Sequence, residues 1–240
     1  MRRLLLVIFL AGGLLFGVAQ WRVQSGAVWT RIAPGVEMRT LRSSLSGGAV
    51  RVVALRTSPS RIGIVTGTTL SAAEWRRRES AVVAVNGGYF DTEGRSLGLR
   101  ITKGRRTARL HGLKWGVFYI RGGKASIVSG DKFKMHPAIR EAVQCGPRLV
   151  IKGKPTQLKQ QWARRTGIGV QRDGRVIIAA SDGELSFQEW AALWASATGL
   201  NCRDALNLDG GSSTQLSLRT RSHNLEIPSG RTVPDAVVIK

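Results

Sequence analysis

Ala84-Val85-Asn86-Gly87-Gly88-Tyr89-Phe90-Asp91 and Ala205-Leu206-Asn207-Leu208-Asp209-Gly210-Gly211-Ser212-Ser213-Thr214 are built alike: an apolar run meets a polar turn with paired glycines. A short, β-branched apolar run bounded by turn residues reads as a buried strand. The glycines permit positive φ and close approach of the backbone to a ligand, while the adjacent Asn or Asp is held in place by the sheet. Two readings fit each segment. Asn-Gly and Asp-Gly are strong hairpin signals, and polar groups delivered at the end of a buried strand equally describe a binding or catalytic site.

Outward from these two stretches the same alternation continues. Val50 to Leu55, Ile62 to Val65, Ala81 to Val85, Trp115 to Ile120 and Leu149 to Ile151 read as strands. So do Gly167 to Val170, Val176 to Ala180, Ala205 to Leu208, Thr214 to Leu218 and Ala236 to Ile239. Ser71-Ala72-Ala73-Glu74 and Ser186-Phe187-Gln188-Glu189 match the capping box, in which serine and glutamate satisfy orphan N–H groups, so a helix starts at each. Trp190, Leu193 and Trp194 then share one face of the second helix and belong to the core, with Gly199 placed to end it. A third helix is expected from Pro137 to Val143. No long Pro-rich or low-complexity stretch divides Trp21 from Lys240, so residues 21–240 are expected to form one domain. The expected class is α+β, a mixed, mainly antiparallel sheet core with a few packed helices.

Two more segments place charge at a strand mouth. Gln144-Cys145-Gly146-Pro147-Arg148-Leu149-Val150 sets Arg148 after a rigid Gly-Pro corner, and Arg164-Arg165-Thr166-Gly167-Ile168-Gly169-Val170 sets Arg165 and Thr166 likewise. The planar guanidinium fork pairs with phosphate through two parallel charged hydrogen bonds. Either arginine taken alone also reads as a surface charge.

The ordered set NGGYFD, QCGPRLV, RTGIGV, LNLDGGSST and the terminal VPDAVVI resembles the phosphodiester glycosidase family, over roughly Val50 to the C-terminus. The resemblance implies hydrolysis at the anomeric carbon of a sugar-1-phosphodiester, giving free sugar and a phosphomonoester. Carried over by position, it implies a site lined by Asn86, Gly87, Gly88 and Asp91, by Arg148, by Arg165 and Thr166, and by Asp209, Gly210, Gly211 and Ser213. Cys145 stands where many relatives carry a small hydroxyl residue or alanine, so no role passes to its thiol.

Such a residue set suits the chemistry. An ordinary glycosidase protonates a poor alkoxide leaving group with one carboxylic acid and uses a second carboxylate on the other face. A phosphodiester leaves as a stable anion, so arginines and a glycine-rich turn can replace the acid, and one carboxylate remains as base or nucleophile. Asp209 is the expected carboxylate, with Asp91 as its rival and Asn86 beside them. No cofactor is expected. A metal-dependent phosphodiesterase is the alternative, with Asp91, Asp182 and Asp209 as oxygen ligands for a divalent cation, although Asp182-Gly183 also reads as a plain turn. A serine hydrolase is disfavoured because Gly210-Gly211-Ser212-Ser213 lacks the GxSxG elbow. His111, His136 and His223 are too scattered for a histidine zinc site.

Composition bounds the partners. With 37 Lys plus Arg against 15 Asp plus Glu, the formal charge is +22. Such a field draws anionic partners: phosphorylated glycans, sugar-1-phosphodiesters or an anionic envelope surface. A solvated basic face, or a non-catalytic binder of anionic polysaccharide, accounts for the charge as well. Nucleic acid fits poorly, because the basic residues are dispersed and not interleaved with aromatics. Met1-Arg2-Arg3 followed by an uncharged apolar run to Ala19 reads as an export signal over residues 1–20. Both a cleaved signal and a retained anchor fit that segment, placing the protein in the periplasm, outside the cell, or tethered to the membrane. In an oxidising compartment Cys145 and Cys202 could pair or stay free.

Overall fold

A computed structural model describes residues 28–43, 49–112 and 114–240; the expected export segment lies outside them. In chain order the strands are β1 Thr30–Ala33, β2 Val36–Ser43, β3 Val50–Thr57, β4 Ile62–Leu70, β5 Val83–Asn86 and β6 Arg100–Thr102. They continue as β7 Arg105–Ala108, β8 Gly116–Arg121, β9 Lys124–Ser129, β10 Ile139–Cys145, β11 Arg148–Ile151 and β12 Lys154–Pro155. The remainder are β13 Trp162–Gln171, β14 Val176–Ser186, β15 Cys202–Asn207, β16 Leu216–Arg219, β17 Asn224–Ile227 and β18 Val233–Ile239, with helices α1 Ala72–Arg78 and α2 Phe187–Ala195.

These strands form three sheets. The largest runs β1-β2-β3-β14-β13-β15-β11-β12, and the two five-stranded sheets run β7-β6-β10-β8-β9 and β17-β16-β5-β18-β4. Every pairing among the named strands is antiparallel. Strand makes up 52% and helix 12% of the structure, so the fold is sheet-dominated and not a balanced α+β arrangement. Short connections account for the antiparallel hairpins of consecutive strands, such as β2–β3, β8–β9 and β13–β14, since parallel strands need long crossovers.

Side-chain alternation sorts the layers. On β14, Val176, Ile178 and Ala180 face the smaller sheets, while Ile177 and Ala179 face α2. On β5 and β18, Val83, Val85, Val237 and Ile239 face inward, while Ala84, Ala236 and Val238 pack under α1 with Trp75. The order is therefore α2, the large sheet, the two smaller sheets, and α1 outside one of them. Both expected capping boxes are present, at Ser71 with Glu74 and at Ser186 with Glu189. Trp190, Leu193 and Trp194 are fully buried, as helical spacing implied. A Cβ on Gly167 or Gly169 would lie 2.8 or 2.7 Å from the Trp194 ring, so the two glycines of RTGIGV let that ring lie against β13. Burying one tryptophan removes on the order of 200 Å² from water, an upper bound of roughly 5 kcal/mol.

The helix expected at Pro137 to Val143 is instead β10, paired on both sides by β6 and β8. Ile139, Ala142 and Val143 have helical spacing, but the strand is covered on both faces, so its apolar residues need not alternate. Cys145 and Cys202 are both buried and free. They belong to cores on opposite faces of the large sheet.

Candidate active site

The family-like segments converge where the three sheets meet. Asn86 ends β5 and is fully buried. Its Nδ2 donates to the Asp209 carbonyl at 2.7 Å, and its Oδ1 accepts from Thr166 Oγ1 at 2.7 Å and from the Gln215 amide at 3.2 Å. The Asp209 amide returns a bond to the Gly87 carbonyl at 3.0 Å, and the Leu208 amide donates to the Thr166 carbonyl at 2.9 Å. Three motifs are thus stitched together through one asparagine whose polar atoms are all engaged. Asn86 holds the turns in place.

Beneath the paired glycines lies an ion pair that sequence reading did not anticipate. Arg100 Nε and Asp235 Oδ2 stand 3.0 Å apart at 0% and 1% exposure. Asp235 Oδ1 accepts from the Gly88 amide at 2.8 Å, and Arg100 donates to the Gln144, Leu99 and Tyr89 carbonyls. A Cβ on Gly87 would fall 1.8 Å from Asp235 Oδ1, and one on Gly88 would fall 2.4 Å from an Arg100 nitrogen. These glycines are required by close approach to a buried charge pair, whatever the turn type.

Asp209 is half-buried just beyond β15. Its Oδ1 accepts from the Gly210 amide at 2.9 Å. Burial raises its pKa above the ordinary aspartate value, and the negative charge of Asp235 adds to this. The Ser213 hydroxyl, the Gly210 N–H and the Arg231 charge oppose the shift without cancelling it. A carboxylate tuned this way is a better proton acceptor than a solvated one. Across from it the Tyr89 phenol donates to the Gly146 carbonyl, with its pKa raised by burial first and then by Cys145 and Asp209. Asn207 Nδ2 bonds the same carbonyl at 3.1 Å, while its buried Oδ1 has no hydrogen-bond partner among the described residues. Tyr89 and Asn207 were absent from the sequence-based site. A hydroxyl-bearing aromatic directly after the paired glycines was the available signal for the first, and the strand-end asparagine of LNLDGG for the second.

The other expected residues separate. Gly87, Gly88, Thr166, Gly210 and Ser213 lie in or against the cluster. Arg148 is half-exposed at the start of β11, its stem over Gly116, and its guanidinium has no hydrogen-bond or ion-pair partner among the described residues. Arg165 points to the α2 face of the large sheet, opposite Thr166. Its guanidinium bonds the Leu185 carbonyl at 3.0 Å, also bonds the Gln161 carbonyl, and lies 3.6 Å over the Phe187 ring. Burial pushes its pKa down to about 10. Gly211, with φ +59, opens the short helical turn Gly211–Ser213. Asp91 is closed into its own loop: it accepts from the Glu93 and Arg95 amides and ion-pairs with Arg95 at 2.8 Å. Asp182 pairs with Arg51 at 2.9 Å on the surface. Asp91, Asp182 and Asp209 do not converge, and no group of three His, Cys, Asp or Glu side chains placed to hold a metal occurs among the described residues.

A profile of the family described as phosphodiester glycosidase matches residues 79–240, a span that contains all five segments. The chain belongs to the phosphodiester glycosidase family. Within curated proteins it is 32% identical over 143 residues to the uncharacterized protein YigE of Escherichia coli strain K12, covering 53% of this chain and 55% of that one. The chain thus spans about half the length of that relative. Among solved structures it resembles the catalytic domain of zebrafish N-acetylglucosamine-1-phosphodiester alpha-N-acetylglucosaminidase auto-inhibited by its pro-peptide. The TM-score is 0.69 at 20% identity, covering 89% of this chain and 86% of that chain. A hypothetical protein from Synechocystis has a TM-score of 0.61 at 17% identity, over 89% and 64% of the two chains. At these identities the structures share the fold.

Proposed function

We propose that this phosphodiester glycosidase family member is an exported hydrolase that splits the bond between a sugar's anomeric carbon and a phosphate oxygen. The observation that carries the reading is Asp209, a half-buried carboxylate of raised pKa where the family segments meet. Water is the attacking group: its oxygen bonds to the anomeric carbon, the C–O bond to phosphate breaks with its electron pair on the phosphate, and Asp209 takes the proton. The departing phosphate is stabilised by the backbone amide of Gly211 and by the unpaired Arg148. Arg165, tied to backbone carbonyls, contributes as a fixed buried positive charge and not as a free fork.

The substrate class is a phosphorylated glycan or nucleotide-type sugar-1-phosphodiester, in keeping with the +22 charge. The basic and apolar residues 1–20 support export, by cleavage or as a tether, and residues 21–240 form the hydrolase domain. Among the described residues no helix is long and apolar enough to cross a membrane. The test is incubation of the purified protein with a panel of UDP-sugars and other sugar-1-phosphodiesters in ¹⁸O-labelled water, followed by mass spectrometry. Label on the free sugar is the expected result. Label on phosphate would move the break to the P–O bond and overturn the reading.

A further inference from the structure

At the far end of β13 and β15 from Asp209 lies a cleft of about 480 Å³. Arg203 to Asp209 is six residues along and just beyond β15, on the order of 20 Å at strand rise. Three connections wall the cleft: the Ser58-Pro59 corner after β3, the turn leading into Lys124 on β9, and the β13–β14 turn from Arg172 to Arg175. Val170 and Ala125 supply its apolar surface. Nothing in the catalytic reading uses this place.

Lys124, Arg172, Arg175 and Arg203 line the cleft with one carboxylate, Asp173, while Glu37 and Asp204 pair with two of these cations from behind the lining. Arg175 is held by Asp173 at 2.6 Å and by Glu37 at 3.2 Å, and Arg203 by Asp204 at 2.8 Å. Those pairs fix two guanidinium forks in direction before any ligand arrives. Lys124 and Arg172 have no hydrogen-bond or ion-pair partner among the described residues. Two unpaired basic side chains in one concavity are available to an anionic ligand. The oriented arginines add donors of the geometry that phosphate oxygens accept.

We propose that this cleft is a phosphate-binding site for a dianionic phosphomonoester or inorganic phosphate, separate from the site at Asp209. The same chemistry could be presented by a soluble sugar phosphate or by a phosphomonoester lipid headgroup. A nucleic acid is not indicated, because among the described residues no aromatic side chain lines the cleft to stack a base.

The experiment is calorimetric titration of the full chain with inorganic phosphate at physiological salt, repeated on Lys124→Ala/Arg172→Ala and on Arg77→Ala/Arg105→Ala. The control pair removes equal charge from exposed positions away from the cleft. The cleft variant should lose at least tenfold in affinity while the control pair keeps wild-type affinity. Equal loss in the cleft and control pairs would reduce the effect to general charge, and undiminished binding in the cleft pair would remove the site; either overturns the proposal. A second arm uses vesicles containing phosphatidic acid. Capture that depends on Lys124 and Arg172 assigns the source to a lipid headgroup, and binding of free phosphate without such capture assigns it to a soluble phosphomonoester. No turnover is read, so failure here leaves the catalytic reading untouched.

Discussion

Asp209 and Asp91 are both carboxylates in a glycine-bearing turn after an apolar strand, one before its paired glycines and one after them, and their surroundings treat them oppositely. Asp209 lies where three sheets close on it, and burial raises its pKa. Asp91 is wrapped by the Arg95 amide, the Arg95 guanidinium and the Glu93 amide, which hold its pKa below the ordinary value. One carboxylate is left with proton affinity to use, while the other is spent on closing a loop. What separates them is that Asp91 is satisfied by neighbours two and four residues further on, whereas Asp209 is enclosed by segments remote in sequence.

The largest test of this contrast is Asp209→Asn. The amide keeps an acceptor for the Gly210 N–H, so the turn should survive, while the proton acceptor is lost. Turnover of any sugar-1-phosphodiester that the wild type accepts should fall by on the order of 10²–10⁴, the usual range for general acid–base work. Circular dichroism should be unchanged. Near-normal turnover would take Asp209 out of the chemistry.

Second in size is the support beneath the turn. Asp235→Ala leaves the fully buried Arg100 without its carboxylate and the Gly88 amide without an acceptor. Breaking a buried pair from one side costs about 3–5 kcal/mol, which urea unfolding would read directly. A loss below about 1 kcal/mol would show that the ion pair does not hold the Asn86-Gly87-Gly88 turn.

The two turns were legible in sequence because paired glycines follow short apolar runs; the apolar runs located ten strands, and the Ser-x-x-Glu capping boxes located both helices. What stayed hidden depended on contacts between remote segments. Gly88 and Asp235 are separated by 147 positions, and nothing local to either says that an arginine at position 100 lies between them. Tyr89 and Asn207 meet at the Gly146 carbonyl only once the smaller sheets close on the large one. The strands that escaped notice, such as β2, β7 and β17, carry charged residues on their exposed faces and lack the apolar runs that mark the others. β10 misled for the opposite reason: a strand buried on both faces has no alternation to set it apart from a short helix.

Stability against pH gives a third measurement on the same pair. A raised folded-state pKa means that Asp209's contribution is fully present below the unfolded pKa and is lost as pH rises through the folded one. At neutral pH the ionised carboxylate is therefore a burden, and Asp209→Asn should melt higher than wild type. Each kcal/mol of relief is worth about 2–4 °C in a chain of this size, and the gap should close as acid protonates the wild type. Unchanged melting at every pH would mean that the site is wet enough to solvate the charge.

The smallest effect is expected at Asp91, and its sign is the informative part. A lowered folded-state pKa gives stability that is present above the unfolded pKa and is lost as pH falls through the folded value. Asp91→Asn should thus melt slightly lower than wild type at neutral pH and converge with it in acid, the reverse of Asp209→Asn. Because the carboxylate is occupied by its own loop, turnover should stay within about threefold of wild type, well short of the loss of a general acid or base. A loss comparable to that of Asp209→Asn would mean that the Arg95 pairing opens when substrate binds. Paired melting curves of the two variants between neutral and acid pH, together with their turnover, separate a carboxylate kept for chemistry from one consumed by the fold.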